Sequence, residues 1–424
     1  MHSLRNVGVP ASMMGRPGGG IERVDIGLAD GRIASIEPAA KGDDPGRDGG
    51  LVLPAFADIH THIDKGHIWP RKPNPDGTWD SALRAVLDDQ DKSWSIEDTR
   101  RRMDFALRCA YAHGTAAIRT HIDSDHAHHD EGWELFAEMR ERWQGRIELQ
   151  AVSLVGPDTL VDPARLHAIA TLVKSHRGLL GGSVHVFDRS REALRNVVDK
   201  AGELGLELDL HIDETGDPSA HALEHLAAAV IETGYDRPVL AGHCCVLTVQ
   251  DDATQKRTIE AVARAGRISI VSLPMCNLYL QDRTATGGVT PMRRGVTLLH
   301  EFRAAGVRVA IASDNTRDPF YAYGDLDMLE VLRESARILH FDHPMEGAWD
   351  WARTAMSGAA AIAGFAHRAE IAVGARADLV LFRARSWTEL FARPQADRVV
   401  LRDGVVIDTT LPDYRELDDL MEIR

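Results

Sequence analysis

Cysteine is scarce, with 4 in 424 residues: Cys109, Cys244, Cys245 and Cys276. Their spacing matches neither a disulfide framework nor a cysteine-based zinc site. The adjacent pair Cys244–Cys245 cannot bridge without strain, so small buried thiols in a reducing compartment are expected. Also missing is any run near the ~20 apolar residues that span a bilayer, and the start carries no apolar stretch resembling a secretory signal. Basic charge is short as well. Lys and Arg total 49 against 64 Asp and Glu, a formal net charge of −15. That balance argues against nucleic acid and against an anionic membrane surface as partners. No tandem repeat is present, and no low-complexity tract beyond Gly18-Gly19-Gly20. These absences leave a soluble globular chain expected in the cytoplasm.

What is present is organised. An apolar content of 44% supports a sizeable core, and the length suits one large α/β barrel with a smaller unit attached. Eight short runs rich in Val, Ile, Leu and Ala end at His60 (LVLPAFADIH), His121 (GTAAIRTH), Val155 (IELQAVSLV) and Asp188 (LGGSVHVFD), then at Glu214 (LELDLHIDE), Cys244 (PVLAGHC), Pro274 (RISIVSLP) and Asn315 (VRVAIASDN). Strands buried on both faces read this way. Between them lie segments of helical periodicity such as REALRNVVDKAGELG, several closed by Gly. Strand and helix repeating in alternation predict a (β/α)₈ TIM-like barrel, assigned to residues 55–369. The ends differ: VDIGLADGRIASIEP and DRVVLRDGVVID read as hairpins turning at Asp30-Gly31 and Asp403-Gly404. Residues 1–54 and 370–424 are therefore expected to form one small β-sandwich.

His60 and His62 stand two apart at the end of the first barrel strand, so both rings face one side. Alone, a His-x-His is as often chance as metal site. His211, His243 and Asp314, however, fall at the ends of the fifth, sixth and eighth strands. All C-terminal strand ends of a barrel meet at one mouth. Imidazoles and a carboxylate gathered there form a candidate reaction centre.

These segments carry a resemblance. PAFADIHTHIDK (Pro54 to Lys65), HIDETGD (His211 to Asp217), AGHCC (Ala241 to Cys245), NLYLQDR (Asn277 to Arg283) and ASDNTRDPFYAYGDLDML (Ala312 to Leu329) resemble the amidohydrolase superfamily, in its cytosine deaminase and N-isopropylammelide isopropylaminohydrolase branch. The resemblance implies one divalent metal, Zn²⁺ or Fe²⁺, held by His60, His62, His211 and Asp314. It implies that Glu214 shuttles a proton, and that His243 sits beside the attacking water with Asp314 accepting its proton. The fourth strand lacks the bridging lysine that marks two-metal members, hence a single ion. The implied reaction is hydrolytic deamination of an amino- or alkylamino-substituted N-heterocycle, a small-molecule substrate; a homo-oligomer is a further expectation of the resemblance alone.

The substrate is less fixed. Cytosine deaminase carries a ring-reading glutamine on its third strand, where this chain has Ser153, Leu154 and Val155. Asn315 stands where that enzyme has a second aspartate, and Phe320 where it has a stacking tryptophan. Asn315, Phe320 and Lys65 are the candidate substrate contacts, and Arg317 is a further cation that could face the pocket. His121 is expected on the site floor without being a ligand. Trp69, Trp79 and Trp94 are expected to pack or wall the long first connection, and DSDHAHHDE (Asp123 to Glu131) to be a solvated acidic loop. Two alternatives remain: hydrolysis of a cyclic amide or N-acyl bond on the same scaffold, and a non-catalytic binding barrel.

Overall fold

The computed structural model describes residues 2–39, 49–284, 286–367 and 369–421. Strands β1 (His2–Pro10), β2 (Ile21–Ala29) and β3 (Arg32–Pro38) form an antiparallel sheet in that order. Asp30 and Gly31 turn β2 into β3 with φ of 51° and 75°, the left-handed pair a two-residue hairpin requires. The apolar run ending at His60 is two strands rather than one: β4 (Val52–Pro54) and β5 (Phe56–Thr61). Ala55 between them donates its N–H to the Asp378 carbonyl, while Phe56 donates to Gly114. The backbone changes sheets at that point.

The barrel continues through β6 (Thr115–Asp123), β7 (Glu148–Leu154), β8 (Leu180–Val184), β9 (Leu208–Ile212), β10 (Val239–His243), β11 (Ile268–Ser272) and β12 (Val309–Ile311). Parallel pairing joins β5–β6–β7 in one sheet and β8 to β12 in another. Parallel bridges Val152–Leu179 and Thr61–Asp314 connect the two sheets at both seams. The eight strands thus follow one another around a ring, the α/β architecture expected. Every residue of β5, β9, β10 and β11 is buried, which is why these strands lack polar alternation. Several apolar runs outlast their strands. β8 stops at Val184 rather than Asp188, so His185 already belongs to the mouth.

β13 (Leu379–Leu381), β14 (Val399–Arg402) and β15 (Val405–Val406) complete a second terminal sheet in the order β15-β14-β13-β4. Asp403 and Gly404 turn between β14 and β15 at φ 48° and 74°. Beyond them the chain returns to the barrel, where Leu417 and Met421 bury against Phe105 and Cys109. All four cysteines are buried and unpaired.

The connection from β5 to β6 holds α1 (Trp79–Ser93) and α2 (Ile96–His113), capped by the Thr78 and Ser95 side chains, each accepting an N–H of the first turn. Arg71 fixes both helices and the tail: it donates to Asp89 at 2.9 Å, to Asp98 at 2.6 Å and to the Leu420 carbonyl at 3.2 Å. Among the described residues no helix is long and apolar enough to cross a membrane.

Candidate active site and metal centre

β5 ends by aiming His60 and His62 into the barrel mouth, and β9 brings His211 against them. His211 Nε2 lies 3.1 Å from Nε2 of each. Asp314 Oδ1 is 3.2 Å from His62 Nε2 and 3.8 Å from His60 Nε2. Gly242 on β10 permits this packing, because a Cβ there would stand 2.8 Å from His60 Cε1. Asp314 holds a φ of 65°, a conformation costing on the order of 1 kcal/mol. Its N–H donates to the His60 carbonyl at 2.9 Å, fixing the turn that aims the carboxylate inward.

The donor set fits a divalent cation. Three mutually close ring nitrogens cannot all satisfy one another as donor and acceptor. Both Asp314 oxygens are buried and accept no hydrogen bond. Ligand atoms ~2.1 Å from a tetrahedral ion stand about 3.4 Å apart, near the separations found. Burial, then neighbouring positive groups, pushes the pKa of His60, His62 and His211 well below the usual imidazole value, keeping their lone pairs free. Nitrogen and oxygen donors of this kind suit zinc or ferrous iron.

A second layer supports these rings. His121 Nε2 lies 3.2 Å from His60 Nδ1 and 3.6 Å from Asp209 Oδ1. Asp209 is held at 3.1 Å by the buried guanidinium of Arg119. His121 is therefore on the floor of the site. Asp209 and Arg119 are additions that inward-facing polar residues on buried strands could have signalled.

Above the quartet sit Glu214 and His243. Glu214 Oε1 is 3.4 Å from His243 Nδ1, and Glu214, His243 and Asp314 each offer an atom within 4.8 Å of the others. Asn277, on the short helix Pro274–Leu280, bridges the first two: its Nδ2 lies 3.2 Å from Glu214 Oε1 and 3.1 Å from His243 Nδ1. Trp79, the first residue of α1, donates from Nε1 to Glu214 Oε2 at 2.8 Å. The Glu214 N–H donates to His185 Nδ1 at 3.0 Å. Burial raises the Glu214 pKa, opposed by His185 and by the hydrogen bonds from Trp79 and Asn277. Burial lowers His243 to about 3, so its ring is neutral, and its buried Nε2 has no hydrogen-bond partner.

Sequence reasoning gave Asn277 and His185 no role. His185 follows directly on the end of β8, and that placement was the available signal; Asn277 lies in the helix that begins two residues after β11. The contact from Trp79 had none, because it depends on how the first connection folds back.

The site opens into a cavity of about 700 Å³. Lys65, Asn315 and Phe320 all line it. The Lys65 ammonium stands 5.1 Å over the Phe320 ring and 3.8 Å from Asp123. Burial pulls its pKa down, but Asp123, Asp64, Asp318 and Asp314 outweigh that and hold it raised. The Asn315 amide is already engaged, donating to Asp318 at 2.7 Å and accepting from the Cys276 thiol at 3.3 Å. Arg317 turns away and lies 4.2 Å over Tyr414. Trp94 packs against Arg102 rather than the cavity. Among the described residues, every cluster suited to a cation is at this mouth and none falls in Asp123 to Glu131.

The model of the amidohydrolase family matches residues 82–409. A pterin deaminase of Rhizobium rhizogenes (strain K84) is 52% identical over 99% of this chain and 96% of its own length. An N-isopropylammelide isopropyl amidohydrolase of Pseudomonas sp. (strain ADP) is 27% identical over 90% of this chain and 93% of its own. The fold matches the crystal structure of 5-methylcytosine deaminase from Klebsiella pneumoniae liganded with 5-fluorocytosine. That match has a TM-score of 0.81 and 23% identity, covering 97% of this chain and 98% of that one. The chain belongs to the amidohydrolase family. It is a hydrolase of carbon–nitrogen bonds other than peptide bonds, and a metal-dependent deaminase in its site chemistry.

Proposed function

We propose that this enzyme hydrolytically removes the exocyclic amino group of a pterin, a fused pyrimidine–pyrazine ring, releasing ammonia and the corresponding oxo heterocycle. The carrying observation is Glu214 and His243 poised over the His60, His62, His211 and Asp314 quartet at the base of a cavity too wide for one small ring. The similarity to a pterin deaminase along nearly the whole chain supports the choice of ring. So does the apolar wall at Leu154 and Val155, where a cytosine-type site would need an amide to read the pyrimidine edge.

His60, His62, His211 and Asp314 would hold one divalent cation, zinc or ferrous iron. Such an ion, when bound, lowers the pKa of a water enough to provide a nucleophile near neutral pH. Glu214 takes a proton from the attacking water and carries it to the ring nitrogen beside the amine-bearing carbon, so that the C=N bond can accept the remaining hydroxyl group. It then moves the proton of that added hydroxyl to the amine, which leaves as ammonia while the C=O bond forms. His243, fixed through Nδ1 by Asn277, presents Nε2 to the forming C–O group. Phe320 and Trp79, in edge-to-face contact with ring centroids 5.9 Å apart, form one aromatic wall against which the heterocycle rests. Lys65 offers a donor for a ring oxo group.

The test is ammonia release from pterin by the purified, metal-loaded enzyme, its loss on chelation and its return with Zn²⁺ or Fe²⁺, together with metal analysis. One ion per chain and a kcat reduced about 10²–10⁴-fold in Glu214→Gln, with metal retained, are expected. Hydrolysis of a cyclic amide or N-acyl compound without deamination of any pterin would replace this reading.

A further inference from the structure

α1 presents one stripe to the cavity. Trp79, Leu83, Val86, Leu87 and Gln90 all line it, at the spacing that places residues on one helix face. Trp79 at the base touches Glu214, so the stripe runs outward from the reacting end. Its outer members do not reach the core: Leu83 is 37% exposed and Leu87 50% exposed. Across the mouth the loops after β7 and β8 contribute Pro157, Val186 and Phe187, and Val186 is 54% exposed. Large aliphatic side chains left open on both walls of one channel, continuous with the reaction centre, mark a binding surface rather than leftover exposure.

Volume points the same way. A bicyclic ring of about a dozen heavy atoms fills roughly 200 Å³ at the density of packed organic matter, whereas the cavity offers about 700 Å³. With the amine-bearing carbon at Glu214 and the ring against the wall that Trp79 and Phe320 form together, the far edge of the heterocycle faces the channel between α1 and the β7 and β8 loops.

We propose that this channel is a subsite for an apolar substituent, alkyl or aryl, on the pyrazine ring of the substrate, and that the enzyme selects substituted pterins over the bare ring. This rests on the pterin reading above. The subsite acts through binding: a side group seated between Leu83, Leu87 and Val186 removes apolar surface from water on both partners, whereas the proton-transfer groups at the base are unaffected by it.

The experiment compares kcat/KM of the metal-loaded enzyme for pterin and for pterins bearing methyl, butyl and phenyl groups on the pyrazine ring, in the wild type and in Leu87→Asp and Val186→Asp. Both positions are at least half exposed, so folding is retained; a thermal melt checks it. The expected result is a stepwise rise in kcat/KM with substituent size, about tenfold or more for phenyl over pterin and carried by KM. Each aspartate variant should cut that phenyl-to-pterin ratio at least fivefold. A flat series in the wild type, with pterin itself turned over, overturns the subsite and leaves the deaminase reading standing. So does a ratio unchanged in both variants. No ammonia from any pterin removes the substrate reading, and the subsite with it.

Discussion

The indole Nε1 of Trp79 and the side-chain Nδ2 of Asn277 reach the two different oxygens of Glu214, at 2.8 Å and 3.2 Å. One donor comes from the first connection of the barrel and the other from the short helix after β11. The carboxylate is thereby held from opposite sides of the mouth. Hydrogen bonds to a charged acceptor contribute about 1.5–3 kcal/mol, so loss of either should be visible in turnover.

Trp79→Phe keeps the ring facing Phe320 and deletes only the N–H. The expected outcome is a kcat about tenfold lower (~1.4 kcal/mol) with the melting temperature little changed, read by steady-state kinetics and a thermal scan. An unaltered kcat would show that the contact does not matter for turnover.

Asn277→Ala should also lower kcat about tenfold or more, because it frees both Glu214 and His243. Since Trp79 and Asn277 act on one group, the double variant should fall short of the summed single effects, a coupling of 0.5 kcal/mol or more. Strict additivity in the double-mutant cycle would mean the two do not share Glu214.

His121→Phe removes the partner of His60 Nδ1 without touching a proposed ligand. Supporting groups of this type typically contribute 10–100-fold to metal affinity. Competition against a chelator should show a loss in that range, and equal retention by wild type and variant would rule the role out.

Acid should weaken the junction between barrel and terminal sheet at Asp327. Burial alone would raise its pKa, but Arg398, at 2.5 Å, and His113 hold it below the usual carboxylate value. A group depressed in the folded state stabilises fully above its unfolded pKa, near 3.9, and that stability is lost as pH falls through the folded value. Asp327→Asn keeps the helix cap that Asp327 gives Leu329 yet leaves Arg398 without its charge partner, at a cost of about 3 kcal/mol near neutrality. Denaturant unfolding from pH 7 to pH 3 should therefore show the gap between wild type and variant narrowing. A constant gap would contradict it.

The strands were legible because a barrel strand buried on both faces writes itself as an apolar run. What such a run does not show is where one strand stops and the next begins, and so Val52–Pro54 and Phe56–Thr61 read as one apolar run although the boundary expected between the two units falls after residue 54. His60, His62, His211 and Asp314 were readable from their places at strand ends, and the fold does bring them together. Asn315 shows the opposite case: its position at the cavity was foreseeable, but not the engagement of its amide by Asp318 and Cys276. Trp79 was assignable only to a connection, because no local pattern tells where a helix after a long loop will lean.

The Thr61–Asp314 bridge closes the ring at the same place where its first and last strands deliver His60, His62 and Asp314. Parting that seam would pull the nitrogen donors from the carboxylate in one motion. A cation held by the proposed ligands would therefore couple its own release to the unzipping of the cylinder and act as a clasp across it, so that heat resistance should climb with metal concentration.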